Sequence, residues 1–387
     1  MSDAEATPET APPPRRARRW KKRLLALGFG AGLGFLAVEV CVRVAWDGLL
    51  EPTTERPLIE GADLEVCYGQ ASVFASPYQQ VKDGAPYQYY RHDPRRGFRL
   101  AADTVAEDFV RDGEPDATFT ITTDAHGLRG PRREPPPADA LEVLVVGDSM
   151  AFGKGVQDDE TFPYALEAHL AEALGRPVRV YNAGVSSYGQ IEELATLEEL
   201  VPVLEPDVVL LAFTVANDVT DDLRWREGVQ PLEPNPEALA WFEHVLLDNP
   251  LGWWSKTYRL LAWRWGRHLW RYRLMRHPEL LDLAGRLLAA CRDAAGGRPF
   301  GVVIVPPEFE VRGYWAEPWL EADEIRDGIV ARMQAQAIPV LDPLPTLQEH
   351  SHEPLYIPGD LHFTAEGGEV FAQAIAPFVA DLAREAE

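Results

Sequence analysis

The chain has 387 residues, a hydrophobic content of 46% and a formal net charge of −24. That length suits one large or two modest domains with a proper core. The acidic balance argues against a nucleic-acid partner, whose phosphates would be repelled.

Residues 1–14 are rich in Pro, Ala, Thr and Glu and read as disordered. Arg15, Arg16, Arg18, Arg19, Lys21, Lys22 and Arg23 follow, closing a cytoplasmic tail over 1–23. The run Leu24 to Val42 is interrupted only by Glu39. As a helix it spans roughly 28 Å, close to the thickness of a bilayer core. The basic cluster before it places the N-terminus inside and the remainder outside the cytoplasm. Trp20 and Trp46 stand at the two edges, and the anchor is set at residues 24–46. Glu39 and Arg43 are one helical turn apart and can pair near the outer interface. Two other readings stay open. A cleaved signal peptide fits poorly, because Arg43 stands where a small residue is wanted in Val42-Arg43-Val44-Ala45. A core helix of a soluble protein is the third.

Residues 47–140 read as an irregular N-terminal extension with short strand-like runs such as Thr118–Thr122. From 141 onward apolar runs alternate with amphipathic stretches. Strands are expected at Leu141–Val146, Val178–Tyr181, Asp207–Phe213, Phe300–Val305 and Pro339–Leu341. Helices are expected after Thr161, as a cap with Pro163 in the first turn, and over Gln190–Leu200, Pro278–Cys291, Glu321–Gln336 and Ala365–Ala383. Continuous apolar strands separated by helices imply a parallel sheet covered on both faces. The fold class is therefore α/β, a three-layer α/β/α sandwich on a mostly parallel five-stranded sheet, flavodoxin-like, behind an N-terminal transmembrane helix. Ser149, Gly184 and Asn217 fall just past strand ends, where sites form in such sheets.

Residues 219–278 interrupt the domain 141–387 as a long insertion. It holds Trp253, Trp254, Trp263, Trp265 and Trp270, and no acidic residue from 251 to 278. Such a stretch suits a membrane surface. The preferred reading is a lid or flank whose tryptophans pack on the sheet. Of the three cysteines, Cys41 falls in the anchor, and Cys67 and Cys291 are read as buried free thiols rather than a disulfide. No metal-ligand spacing is present. His350 and His352 read as loop residues.

Gly147-Asp148-Ser149 ends the first core strand, and Asp360-Leu361-His362 precedes the last helix. A serine at a strand end with a late Asp/His pair has the parts of a nucleophilic hydrolase. Four blocks resemble the SGNH (GDSL-type) hydrolases in the family's order: Val145–Ser149, Tyr181–Val185, Thr214–Asp218 and Asp360–Phe363. The stretch Ile121–Gly130 is similar to a leader of membrane-anchored bacterial members. Two positions depart from the family pattern. Val215 stands where a glycine is usual, and one residue rather than two separates Asp360 from His362. Members acting on polysaccharide acyl groups share the shorter spacing.

The resemblance implies a catalytic triad of Ser149, His362 and Asp360. It also implies an oxyanion hole from the N–H groups of Ser149 and Gly184 and the side-chain amide of Asn217. Asp148 and Asp218 are expected to hold loops through local hydrogen bonds. The chemistry needs no metal or organic cofactor. The implied function is an ester hydrolase on a lipid, glycan acyl group or small ester. A glycan O-acyltransferase on the same triad and a non-catalytic binding or assembly factor are the alternatives.

Overall fold

The computed structural model describes residues 15–50, 89–109, 118–221, 250–258, 278–313 and 322–385, short of a few single positions within them. The chain divides into two units, one of residues 1–51 and 242–266, the other of 52–241 and 267–387.

In the first unit, helix α1 spans Arg15–Leu50. The sequence contains no proline between Pro14 and Pro52, so nothing in the run removes a helical N–H. Its segment Lys22–Val44 is long and apolar enough to cross a membrane. Most of its large apolar side chains are exposed, Leu27, Phe29 and Val44 among them, whereas Glu39 and Val42 are buried. Arg43 Nε lies 2.7 Å from Glu39 Oε1. A short helix, Pro250–Trp254, belongs to the same unit. Trp254 was expected to pack on the sheet. Its ring instead stacks on Phe35 of α1, with centroids 6.5 Å apart. The side chains of the insertion's other tryptophans lie outside the described residues.

The second unit begins with two antiparallel hairpins. Strands β1 (Tyr90–Asp93) and β2 (Gly97–Leu100) form one, β3 (Val105–Phe109) and β4 (Thr118–Thr122) the other. Among the described residues the extension therefore carries four regular strands, with its own small core of Tyr89, Phe98, Leu100, Phe119 and Ile121. Phe152, Val185 and Tyr188 of the following domain join that core. Arg96 clamps the first hairpin, donating to Asp93 at 2.7 Å and pairing with Glu199.

The chain then alternates through β5 (Leu141–Gly147), α2 (Ser149–Phe152), α3 (Phe162–Leu174), β6 (Val178–Asn182), α4 (Gln190–Leu204) and β7 (Val208–Thr214). It continues with α5 (Pro278–Ala294), β8 (Phe300–Val305), α6 (Ala322–Ala335), β9 (Val340–Leu341) and α7 (Ala365–Glu385). The sheet order is β6-β5-β7-β8-β9, all parallel. Side chains alternate across it. Leu141, Val143 and Val145 pack with α3 and α7, while Leu144 and Val146 pack with α4, α5 and α6. Every residue of β7 and β8 is buried, which is why both read as continuous apolar runs.

Thr161 takes the N-cap position of α3 but makes no side-chain capping bond. Its hydroxyl turns back to the Asp158 carbonyl at 3.4 Å. Cys291 is a buried free thiol, and Cys67 lies outside the described residues.

The start of α7 packs against the loop that carries His362. A Cβ on Gly367 would stand 1.8 Å from the Leu355 carbonyl oxygen, a backbone atom that cannot swing away. Gly367→Ala should therefore push helix and loop apart. We expect a loss of about 1–3 kcal/mol in urea unfolding, together with reduced turnover, because the same loop sets the imidazole. Unchanged stability would show that this packing is looser than the contact implies.

Candidate active site

Three loops converge at the carboxyl ends of β5, β6 and β7, and a fourth arrives from the segment before α7. Ser149 is the first residue of α2, directly beyond β5. Its Oγ is 2.8 Å from His362 Nε2. On the far side of the ring, His362 Nδ1 is 2.5 Å from Asp360 Oδ1. The same carboxylate oxygen accepts the His362 backbone N–H at 3.1 Å. An aspartate bonded to the N–H two residues on forms an Asx turn. That turn lets Asp360 reach the imidazole across a single intervening residue.

The His-bearing loop is itself held. Ile357 N–H donates to the His362 carbonyl at 2.9 Å, and Thr364 N–H donates to Leu355 at 3.0 Å. Tyr356 and Phe363 meet as tilted rings with centroids 5.0 Å apart, and Phe363 contacts Phe371 of α7 at 5.2 Å. Tyr356 Oη donates to the Pro306 carbonyl beyond β8 at 2.8 Å. The aromatic train fixes the ring position by packing.

Asp148 is fully buried beneath the serine. It accepts from Met150 N–H at 2.8 Å, from Thr214 Oγ1 at 2.9 Å and from Asn217 Nδ2 at 2.9 Å. Burial pushes its pKa up, while the donors from Asn217, Met150 and Thr214 and the nearby His362 pull it down. Asp218 accepts the Thr214 N–H at 2.7 Å. The two aspartates thus lace the β5 and β7 loops together. Asn217 lies beside the serine's loop, and its Nδ2 also contacts Asp218 Oδ1 at 3.3 Å.

Gly184 departs from the expected role. Its N–H is donated to Asn182 Oδ1 at 2.9 Å, and Asn182 Nδ2 donates to the Ala151 carbonyl at 2.8 Å. In this state Gly184 offers no free donor. A Cβ there would lie 2.3 Å from the Phe152 nitrogen, so the position needs glycine for close approach to α2.

A cleft of about 220 Å³, open mouth included, lies beside Ser149 and His362. Met150, Val156, Phe162 and Phe363 give it apolar walls, and Lys154 and Glu160 stand among its lining. Among the described residues no cluster of three or more His, Cys, Asp or Glu side chains could hold a metal ion.

Residues 145–370, more than half of the chain, match the model of the GDSL-like lipase/acylhydrolase family. The chain belongs to that family. It is a hydrolase acting on esters. Solved structures similar to it include a lipase/acylhydrolase from Enterococcus faecalis, 18% identical over 62% of this chain and 96% of that chain at a TM-score of 0.37. Another is LAE5, an α/β hydrolase from the metagenome of Lake Arreo, Spain, at 16% identity, 62% and 95% coverage and a TM-score of 0.37. A catalytic mutant of Axe2, an acetylxylan esterase from Geobacillus stearothermophilus, is 15% identical over 62% and 94% at a TM-score of 0.35. No curated protein matches the chain.

One residue of this GDSL-like hydrolase carries more of the site than the motifs indicate. The Arg129 side chain is fully buried. Its guanidinium pairs with Asp158 at 3.0 Å and donates to the carbonyls of Phe152, Gly153, Val156 and Thr120 at 2.5, 2.7, 2.7 and 3.0 Å. It lies 4.4 Å from the centroid of the Phe152 ring. Burial draws its pKa down from the usual arginine value, and Asp158 opposes that. Asp158 also accepts the Thr122 N–H at 2.8 Å. Arg129 therefore binds the backbone turn that follows Ser149 to the second hairpin. Its position in the leader Ile121–Gly130 was the only sequence signal for it.

Lysine has one donor centre and cannot reproduce this fork. Arg129→Lys leaves Asp158 under-paired and several buried carbonyls without donors. We expect a cost of about 3–5 kcal/mol in denaturant unfolding, and a fall in turnover of the folded fraction because the serine turn loses its backing. Wild-type stability in the variant would overturn this assignment.

Proposed function

We propose that Ser149, His362 and Asp360 form the catalytic triad of a serine esterase. The observation that carries this reading is the continuous hydrogen-bonded line from Ser149 Oγ through both ring nitrogens to Asp360, at 2.8 and 2.5 Å. Ser149 Oγ attacks the ester carbonyl while His362 Nε2 takes its proton. Asp360 holds the Nδ1–H tautomer and offsets the charge on the transient imidazolium. The tetrahedral intermediate collapses to an acyl-serine, and His362 hands the proton to the departing alcohol. Water, deprotonated by the same imidazole, then attacks the acyl group. It releases the acid and restores Ser149.

The developing oxyanion is assigned to the Ser149 N–H at the start of α2 and to Asn217 Nδ2, whose second N–H must leave its 3.3 Å contact with Asp218 Oδ1 to reach it. Asn217 is supported in this by its bond to Asp148, which fixes the amide plane. Gly184 serves the same hole by shape, and donates only if Asn182 Oδ1 gives up its N–H.

The small cleft beside Ser149 and His362 favours a short acyl group. We also propose that α1 anchors the enzyme, with residues 1–23 cytoplasmic and the catalytic domain, 141–387, extracytoplasmic. Hydropathy supports the span, and the basic run before it supports the sidedness. Residues 47–140 and the insertion 219–278 are then accessory segments of the same chain.

Fluorophosphonate labelling of the full chain tests the triad. Ser149→Ala should abolish labelling and ester turnover with unchanged thermal unfolding. Asp360→Asn keeps an acceptor for the His362 backbone N–H but favours the wrong tautomer, and should lower kcat on the order of 10²–10⁴-fold. Full activity in either variant refutes the assignment.

Acyl length is probed with p-nitrophenyl esters. Acetyl and butyryl esters should give the highest kcat/KM, with a steep fall at decanoyl. A preference for decanoyl would refute the short-acyl reading and leave the triad standing.

A further inference from the structure

Glu39 is an acidic residue inside an otherwise apolar span, and a lone carboxylate facing lipid is costly. Here it is buried, with 3% of its surface exposed, and its partners come from a segment more than two hundred residues away. Ser255 Oγ donates to Glu39 Oε2 at 2.7 Å, and the Thr257 N–H donates to the same oxygen at 2.9 Å. Oε1 accepts Arg43 Nε at 2.7 Å, and Arg43 in turn donates to the Trp254 carbonyl. Ser255 Oγ also accepts the Tyr258 N–H at 3.0 Å, so the two side chains together satisfy the first amides of the helical turn at 257–258.

The depth of the contact follows from the geometry of α1. The apolar span ends at Val44. Phe35, which the Trp254 ring meets, lies nine residues earlier, roughly 13 Å along a helix rising 1.5 Å per residue. The bilayer core is roughly 30 Å thick, so Trp254 reaches well into its outer half. Trp254 and Leu251 remain 56% and 59% exposed while packed at that level, so both present apolar surface to whatever surrounds α1. The sequence from 251 to 278 has no acidic residue to oppose entry beside anionic headgroups.

We propose that residues 250–255 are a re-entrant membrane element. They enter the outer half of the bilayer beside α1 and are captured there by Glu39, with lipid acyl chains as the partner of Leu251 and Trp254. The protein would then hold the membrane at two points of its sequence, the anchor and the middle of the insertion. This rests on the reading of α1 as a membrane span. It makes Glu39 a docking residue rather than a tolerated charge.

The test uses the full chain in phosphatidylcholine/phosphatidylglycerol vesicles, with the native cysteines replaced. A single NBD label is placed through Leu251→Cys or, separately, through Val38→Cys on the exposed side of α1. Iodide quenches labels in water, and doxyl-labelled lipids quench labels in the bilayer. The expected result is doxyl quenching and iodide protection at both positions. Adding Glu39→Leu should restore iodide quenching at 251 and leave 38 unchanged. A label at 251 open to iodide, with 38 quenched by doxyl lipid, overturns the re-entrant element alone. Iodide access at both positions overturns the membrane span as well. Protection at 251 that survives Glu39→Leu overturns the capture by Glu39.

Discussion

The buried guanidinium of Arg129 is the constraint on which the geometry around the serine depends. An isolated charge in a core costs several kcal/mol even after relaxation, so it persists only when its environment is built around it. Here that environment is one carboxylate and four backbone carbonyls, three of them in the turn that follows Ser149. Those carbonyls have no regular ladder to satisfy them, because the chain between α2 and α3 is turn and 3-10 helix. Arg129 supplies the donors that secondary structure would otherwise supply. Its own backbone N–H donates to the Asn182 carbonyl at 2.9 Å, so one residue covers the edge strand β6 and backs the turn that follows Ser149. The extension is in this sense part of the active-site scaffold, and Phe152 in its small core makes the same connection by packing.

On the opposite side of the serine, the constraint is a buried acid. Asp148 has no cationic partner among its hydrogen-bond donors, only an amide, a hydroxyl and a backbone N–H. Burial disfavours its charge, and three donors favour it. The balance has a geometric consequence. Each donor comes from a different place, Met150 on α2, Thr214 at the end of β7 and Asn217 beyond it, and one carboxylate sets all three. Asn217 is thereby oriented by the residue preceding Ser149. Displacing the Asp148 carboxylate would disturb the serine and its neighbouring amide together.

The sheet was legible because its strands are continuous apolar runs bounded by turn residues, and all five appear within one or two residues of where the pattern put them. The hairpins at 90–122 were legible only at Thr118–Thr122. The strand Tyr90–Asp93 reads Tyr-Arg-His-Asp, with little apolar pattern, and Arg96 in the turn after it pairs with the distant Glu199. Local pattern carries no trace of such pairing. Ser149, His362 and Asp360 were legible because motif order fixes which strand ends meet. The role of Gly184 was not legible, because a glycine after a strand signals either a free N–H or a close approach. Which of these holds depends on the Asn182 side chain two residues before it. The fate of Glu39 was half visible. Its i,i+4 bond to Arg43 is local, and its bonds to Ser255 and Thr257 are not.

The two departures from the family pattern are absorbed by backbone hydrogen bonding rather than by new side chains. Val215 replaces a glycine in a loop that would ordinarily turn there. Its N–H donates to the Val305 carbonyl at 3.3 Å, and its side chain is fully buried, so the β7–β8 pairing runs one residue further before the chain turns. At the other site, the shorter Asp–His spacing brings the Asp360 carboxylate onto the backbone N–H of His362 as well as its ring. With one more residue between them, that Asx bond would fall on a different amide. The short spacing therefore couples the main chain and the imidazole to the same oxygen, and the orientation of His362 becomes a property of a two-residue turn. Neither departure removes a donor or acceptor from the line joining Ser149 to Asp360, so neither argues for a non-catalytic member of the family.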